Sequence, residues 1–381
     1  MLKIYNPGPE ICDDLQGCYY KNFLAFDIEY DKFIHTKNIH DADVIAIHGH
    51  NLFGQGQIYK KVEEIKQLKL RAEQKLLLMH IFHLDHTFPD KRNFLFVRKI
   101  FEQELENQFA FVHTNFALED EIQYDFLFNR QKIYFTNYNL IDLQERLYVN
   151  GCDIKNFELA SLNKAPEIIG LGKRFLCPNR IYSEFDHPRF KYRRLLQDYI
   201  RKHSDKGFFS DFENNQLLEL EHNSLERSKT QSAAFLKSGG WYPVANYYYQ
   251  HSFFSIYCET VSGADNSDFP YKSITEKTWN PLIKGHFILP FGYQGLIDHI
   301  RSYGFKLPDF IDYSYDYIED DQTRFDAFVE SAEKLMSMSI YDLQKLHEDH
   351  KDILLHNRRL FWHRPYDSLY DKVVDFFEIG K

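Results

Sequence analysis

The chain has 381 residues, long enough to build more than one core, and its 44% apolar and 27% charged residues are the balance of a folded globular protein. A formal net charge of -10 argues against general phosphate-backbone binding, which relies on clustered Lys and Arg releasing counterions. Five scattered Cys (Cys12, Cys18, Cys152, Cys177 and Cys258) lack C-x-x-C spacing and indicate neither a disulfide framework nor a zinc knuckle.

In chain order, "MLKIYNPGPE" lacks the long apolar core of a secretory leader, and no run of about 18 apolar residues follows anywhere, so no transmembrane segment and a cytoplasmic location are expected. Short apolar strands then alternate with helical stretches. "DVIAIHG" (43–49) reads as a strand, Gln57 to Glu73 as a polar helix, and "KLLLMHIF" (75–82), "FAFVHT" (109–114) and "KIYFTNYN" (132–139) as further strands. Strand followed by helix, repeated, predicts a parallel sheet covered on both faces. A second cycle opens with "GLGKRFLCPNR" (170–180) and a helix over 187–203 whose Tyr192, Leu195, Leu196 and Ile200 fall at helical spacing. "GFFSDF" (207–212), a polar helix over 214–228, the strand "SFFSIYCET" (252–260), the strand "HFILPFG" (286–292) and helices over 324–336, 341–353 and 366–378 complete the pattern.

The expected architecture is α/β, with two doubly wound Rossmann-like halves and a ligand site in their cleft. Residues 1–165 form the first domain, 166–350 the second and 351–381 a helical tail. "ERSKTQSAAFLKSGGWYPVANYYYQHS" (226–252) reads chiefly as aromatic packing, and the acidic "YDYIEDD" (315–321) as a solvated loop.

The stretch "SITEKTWNPLIKGHFILPFG" (273–292) carries most of the chemistry. Ser273 and Glu276 have the S-x-x-E spacing of a capping box, which accounts for Glu276 as a purely structural residue. Lys277 fits that reading poorly, because a cation in the first helical turn opposes the helix dipole unless an anion binds there. Helix amino termini hold phosphates, a neighbouring Lys adds charge for a diphosphate, and Glu276 can accept hydrogen bonds from ribose hydroxyls. Pro281 predicts a kink or a fresh start at Asn280, and Gly285 a carboxyl cap.

That stretch, preceded by a strand ending in Glu259 and Thr260, resembles the donor-site signature of fucosyltransferase-like (family 10-like) glycosyltransferases of the GT-B fold. "FLCPNR…HPRFKYRRLL" is similar to the opening of that family's donor domain, and the matched region runs over about 175–320. The resemblance implies a donor site built from Arg189, Arg193, Glu259, Glu276 and Lys277 for a nucleotide-diphosphate sugar, with inverting, metal-independent transfer. Ser273 stands where the family commonly has Tyr, a departure that bears on the donor. Asp316 and Arg324 match a recurring, structural tail of the region, and the last helix is expected to cross back to the first domain.

Inverting transfer also needs a base for the acceptor hydroxyl. In the resembling family this is a carboxylate just after a strand of the first domain, which points to Asp85 in "KLLLMHIFHLDHTFPD", with His83 or His86 as alternates. His80, His83 and His86 would align on a helix, but the preceding run is a strand that alternates their faces, so metal binding is the weaker reading and no metal is expected. "HGHNLFGQGQ" (48–57) misses G-x-G-x-x-G and lacks a ribose-binding acid at the right distance, so it reads instead as acceptor-cleft lining, with His48 or His50 near the acceptor.

The expected function is glycosyl transfer from a nucleotide-diphosphate sugar to a saccharide-type hydroxyl, without a cofactor. Two alternatives stay open. One is transfer to a modified base in DNA, disfavoured by net charge but consistent with a basic cleft of Arg189, Lys191, Arg193 and Arg194. The other is a catalytically silent GT-B scaffold that binds a sugar or a partner.

Overall fold

The structure is a computed structural model that describes residues 2–5, 33–48, 57–80, 109–113, 133–135, 172–179, 190–211, 218, 244, 246–259, 274 and 276–363. The chain divides into two compact units, Met1–Leu143 with Pro365–Lys381, and Gln144–Arg364. The expected boundary near 165, the expected helix over 214–228 apart from Leu218, and the expected crossing helix over 366–378 lie outside the described residues. Both units are α/β with wholly parallel sheets. Among the described residues no helix is long and apolar enough to cross a membrane.

The first unit carries a six-stranded sheet in the order β2-β1-β3-β4-β5-β6. Its strands are β1 (Leu2–Tyr5), β2 (Phe33–His35), β3 (Val44–His48), β4 (Lys75–His80), β5 (Phe109–His113) and β6 (Ile133–Phe135). The last four match the expected strands; β1 and β2 add two that the hydrophobic pattern did not announce. Helix α1 (Gln57–Gln67) buries Val62 and Ile65 and stops short of the expected Glu73. Lys69 there has φ 49°, a left-handed conformation that no helix continues through. Gln74 then locks the turn: its buried amide donates to the carbonyls of Ile39 (2.7 Å) and Ala42 (2.8 Å).

The second unit carries a four-stranded sheet in the order β10-β9-β7-β8, made of β7 (Phe175–Cys177), β8 (Gly207–Phe209), β9 (Phe254–Cys258) and β10 (Phe287–Phe291). Every residue of β9 and β10 is buried, as expected of apolar runs covered on both faces. Pro290 is tolerated because β10 is an edge strand, where a missing N–H breaks no ladder bond. The same outer edge is closed by two tyrosines, whose hydroxyls donate to the carbonyls of Ile288 (Tyr313, 2.9 Å) and Pro290 (Tyr315, 2.6 Å). Residues 315–321 are only in part the solvated loop that their acidity suggests, with Tyr317, Glu319 and Asp320 exposed. Tyr315 and Asp316 lie in a short 3-10 turn, Ser314–Tyr317, and both are buried.

Helices flank this sheet: α2 (Lys191–Lys202), α3 (Asn246–Gln250), α4 (Glu276–Lys284), α5 (Leu296–Ser302), α6 (Asp321–Ser337), α7 (Ile340–Asp349) and α8 (Lys351–His363). Helix α2 buries Tyr192, Leu196 and Ile200 on the expected face. Helix α8 packs against α4 and belongs to the second unit, with Leu354 in its core. Gly207 opens β8 directly under Phe175, and a Cβ there would fall inside the Phe175 ring. Gly207→Ala should therefore cost about 1–3 kcal/mol, seen as a lower urea midpoint with an unchanged slope.

Candidate functional site

In a parallel sheet wound in both directions, the crevice for a ligand opens at the carboxyl ends of the two strands where the winding reverses. In the second unit these are β7 and β9, which are neighbours in the sheet. Their ladder runs over Phe175↔Phe254 and Leu176↔Ser255. Beyond it, the side chain of Asn179 takes over: Nδ2 donates to the carbonyl of Cys258 (2.7 Å) and Oδ1 accepts from the Cys258 N–H (2.7 Å). One carboxamide thus supplies both halves of a missing rung and holds the strand ends on either side of the crevice.

Glu259 follows at once. Its N–H donates to the Phe291 carbonyl (2.7 Å), which ties the ends of β9 and β10 together, and its carboxylate is fully buried. Thr278 in the first turn of α4 donates its hydroxyl to Glu259 Oε1 at 2.6 Å and accepts from the Tyr257 hydroxyl at 2.8 Å. Burial first, and then the Glu259 charge, push the Tyr257 phenol well above its ordinary value, so this chain keeps its protons. Arg193, in the first turn of α2, is buried beside the same strand ends. Its Nε donates to the Glu259 main-chain carbonyl (3.2 Å), and its guanidinium lies 5.5 Å from the Phe190 ring centre. The Cys177 thiol, at the end of β7, is raised to about 12 by burial, partly offset by its Asn179 hydrogen bond and the Arg193 charge; it is no nucleophile at neutral pH.

Helix α4 is continuous from Glu276 through Pro281 to Lys284, so the expected restart at Asn280 does not occur. Pro281 lies past the first four residues of the helix, so its missing N–H costs the helix one intrahelical bond, yet the helix runs on through it. Gly285 closes the helix at φ 85°, as its position predicts. Glu276 is the first described residue of the helix; Ser273, the other half of the expected capping box, lies outside the described residues. Lys277 follows in the same first turn and is 8% exposed.

The loop after β10 completes the surroundings. Gly292 lies against Glu259, and Arg324 donates to the Gly292 carbonyl (3.3 Å) while also holding the carbonyl of Ile318 (2.9 Å) and the carboxylate of Asp321. Asp316 Oδ2 accepts from the Ile297 N–H (2.8 Å) and caps α5, whose own cap residue, Gly295, has no side chain. Burial is the main cause that raises Asp316 to about 6, opposed by its backbone hydrogen bonds and by Arg324.

The structure therefore gathers three of the expected donor-site positions, Arg193, Glu259 and Lys277, with the backbone of Glu276, at one end of one sheet. Arg189 lies outside the described residues, as do Asp85, His83, His86 and His50. His48 ends β3, a strand at the winding reversal of the first unit's sheet. Asn179, Thr278 and Tyr257 were not singled out by the sequence reading, although an Asn two residues past a strand and a Thr beside Lys277 were visible there. Among the described residues no His, Cys, Asp and Glu cluster could hold a metal ion. Compared with protein-family models, with curated proteins and with solved structures, the chain has no match, and the resemblance to fucosyltransferase-like enzymes rests on the residues of its own motif.

Proposed function

We propose that this protein is a GT-B glycosyltransferase whose second unit binds a nucleotide-diphosphate sugar at the carboxyl ends of β7, β9 and β10, for inverting transfer to a saccharide-type hydroxyl. The observation that carries the reading is the first turn of α4: Glu276 and Lys277 open a helix whose next residue, Thr278, is fastened to a buried carboxylate at the winding reversal. The N–H groups at a helix amino terminus and the Lys277 ammonium are suited to a diphosphate, and a fixed array of donors stabilises the charge of a departing nucleoside diphosphate.

In this reading the residues divide by role. Lys277 and Glu276 meet the donor, with Arg189 as a further phosphate ligand. Glu259, fully buried, acts through Thr278 by fixing the angle at which α4 enters the site, and Arg193 holds the strand end that carries Glu259. Asp85, with His83 or His86 as alternates, supplies the base, and His48 and His50 line the acceptor side.

The test is calorimetric titration with GDP-fucose, UDP-glucose and UDP-N-acetylglucosamine. At least one should bind, and Lys277→Ala should weaken it tenfold or more with an unchanged far-UV circular dichroism spectrum. At 100 times its Kd the donor should also stabilise the fold by about 2.7 kcal/mol. A wild-type protein that binds no nucleotide sugar, or a variant that binds as well as the wild type, overturns the assignment.

A further inference from the structure

His299 lies in α5 with both ring nitrogens engaged by phenols. Nδ1 is bonded to the Tyr293 hydroxyl, and Nε2 to the Tyr303 hydroxyl at 2.8 Å. Tyr293 belongs to the loop that leaves β10 beside Gly292. Tyr303 follows α5, and its ring lies 5.8 Å, centre to centre, from Trp279 in the first turns of α4. The triad thus spans from the β10 loop to the helix that opens the proposed donor site.

Proton counting shows what such a triad can do. Two phenols and a neutral imidazole carry three exchangeable protons for two hydrogen bonds, so one tyrosine donates to the ring and the other accepts from it. An imidazolium carries both N–H groups and donates in both directions, and then both phenol protons must point elsewhere. Burial, and after it the charges of Tyr303, Glu259 and Asp316, hold the Tyr293 phenol well above its ordinary value. Its hydroxyl therefore stays protonated and only changes direction.

We infer that the Tyr293–His299–Tyr303 triad is a proton-linked control on the donor site, in which protonation of His299 turns the Tyr293 hydroxyl from the ring toward the bound nucleotide sugar and strengthens binding. This rests on the donor reading above. His299 is a positioning residue, because it acts through Tyr293. Several charged groups among the described residues share its surroundings. On α5 these are Asp298 and Arg301, which pair with each other (3.5 Å), and Tyr317 also bonds Asp298 (3.0 Å). The 3-10 turn contributes Asp316 and the end of β9 Glu259, both of which act on the Tyr293 phenol. The carboxylates favour the imidazolium, and Arg301 opposes it.

The experiment is calorimetry from pH 5.5 to 8 with the tightest binder among GDP-fucose, UDP-glucose and UDP-N-acetylglucosamine, whose bridging diphosphates keep a constant charge over this range. The wild type should bind three- to tenfold more tightly at pH 5.5 than at pH 8, and His299→Gln should bind with no pH dependence. Tyr293→Phe, which keeps the ring and removes only the hydroxyl, carries the same expectation if His299→Gln does not fold. In parallel, the imidazole resonances of His299 should titrate at higher pH in the complex than in the free protein. Binding whose pH profile is the same in wild type and both variants overturns the inference and leaves the donor site standing. Absence of binding at every pH removes the donor site and the inference with it.

Discussion

Arg324→Ala should lower stability by about 3–5 kcal/mol, a Tm loss of roughly 10 °C, although the side chain touches no proposed ligand. Arg324 is 2% exposed and gathers groups from three segments: the Gly292 carbonyl after β10, the Ile318 and Glu319 carbonyls, and the Asp321 carboxylate in its own helix. Its guanidinium also lies 5.3 Å from the Phe291 ring centre. Truncation leaves those carbonyls and the carboxylate without their donor, and unpaired buried polar groups cost more than the hydrogen bonds they had gained. Arg324→Lys should recover little, since one ammonium cannot spread across the positions that a planar guanidinium reaches. Because Gly292 abuts Glu259, the same substitution should also weaken nucleotide-sugar binding. Thermal unfolding of both variants checks the first expectation; stability within 1 kcal/mol of wild type for either would sink it.

Acid should destabilise the second unit through His286, and the sign follows from its hydrogen bonds. His286 is fully buried between β10 and its neighbours: Nε2 bonds the Tyr249 carbonyl (2.7 Å), so it carries the proton, and Nδ1 accepts from the Ser255 hydroxyl (2.9 Å). Burial lowers its pKa from 6.5 to about 3. Below pH 6.5 the unfolded chain takes up a proton that the folded chain refuses, so stability falls as pH drops toward 3, on the order of 5 kcal/mol in all. His347, bonded to the Gly285 carbonyl and likewise lowered by burial, works in the same direction. Asp316 opposes them. Its folded pKa of about 6 lies above the ordinary 3.8, so between those values the folded chain binds the extra proton and gains stability on acidification. The net loss should therefore be steepest between pH 6.5 and 6, and again below 3.8, with a shallower stretch between. Urea midpoints across pH 3.5 to 7.5 measure it. His286→Gln, which keeps a donor for the Tyr249 carbonyl, should flatten the profile; a profile as steep as wild type would assign the acid loss to other groups.

Two strands of the second sheet, β9 and β10, were legible because they are fully buried and almost wholly apolar, and Gly285 announced the end of α4. β1 and β2 were not, since four and three residues give no period to read. The acidity of residues 315–321 misled only in part: Glu319 and Asp320 are exposed as expected, while Tyr315 serves the sheet edge through a buried phenol-to-carbonyl bond. Lys277 and Glu259 stood out through chemistry that local rules explained badly. Asn179 and Thr278 act through partners 79 and 19 residues away, and such pairings exist only once the sheet is wound.

Both sheets follow one winding: the second strand of each lies outside the first, and the third lies on the first strand's other side. Each unit therefore possesses its own reversal point, β1 beside β3 in one and β7 beside β9 in the other. The transfer proposed above has two substrates with unlike demands, one anionic and one rich in hydroxyls. On that proposal, a chain that repeats the winding offers one separate crevice to each, free to differ in side chains without disturbing the other.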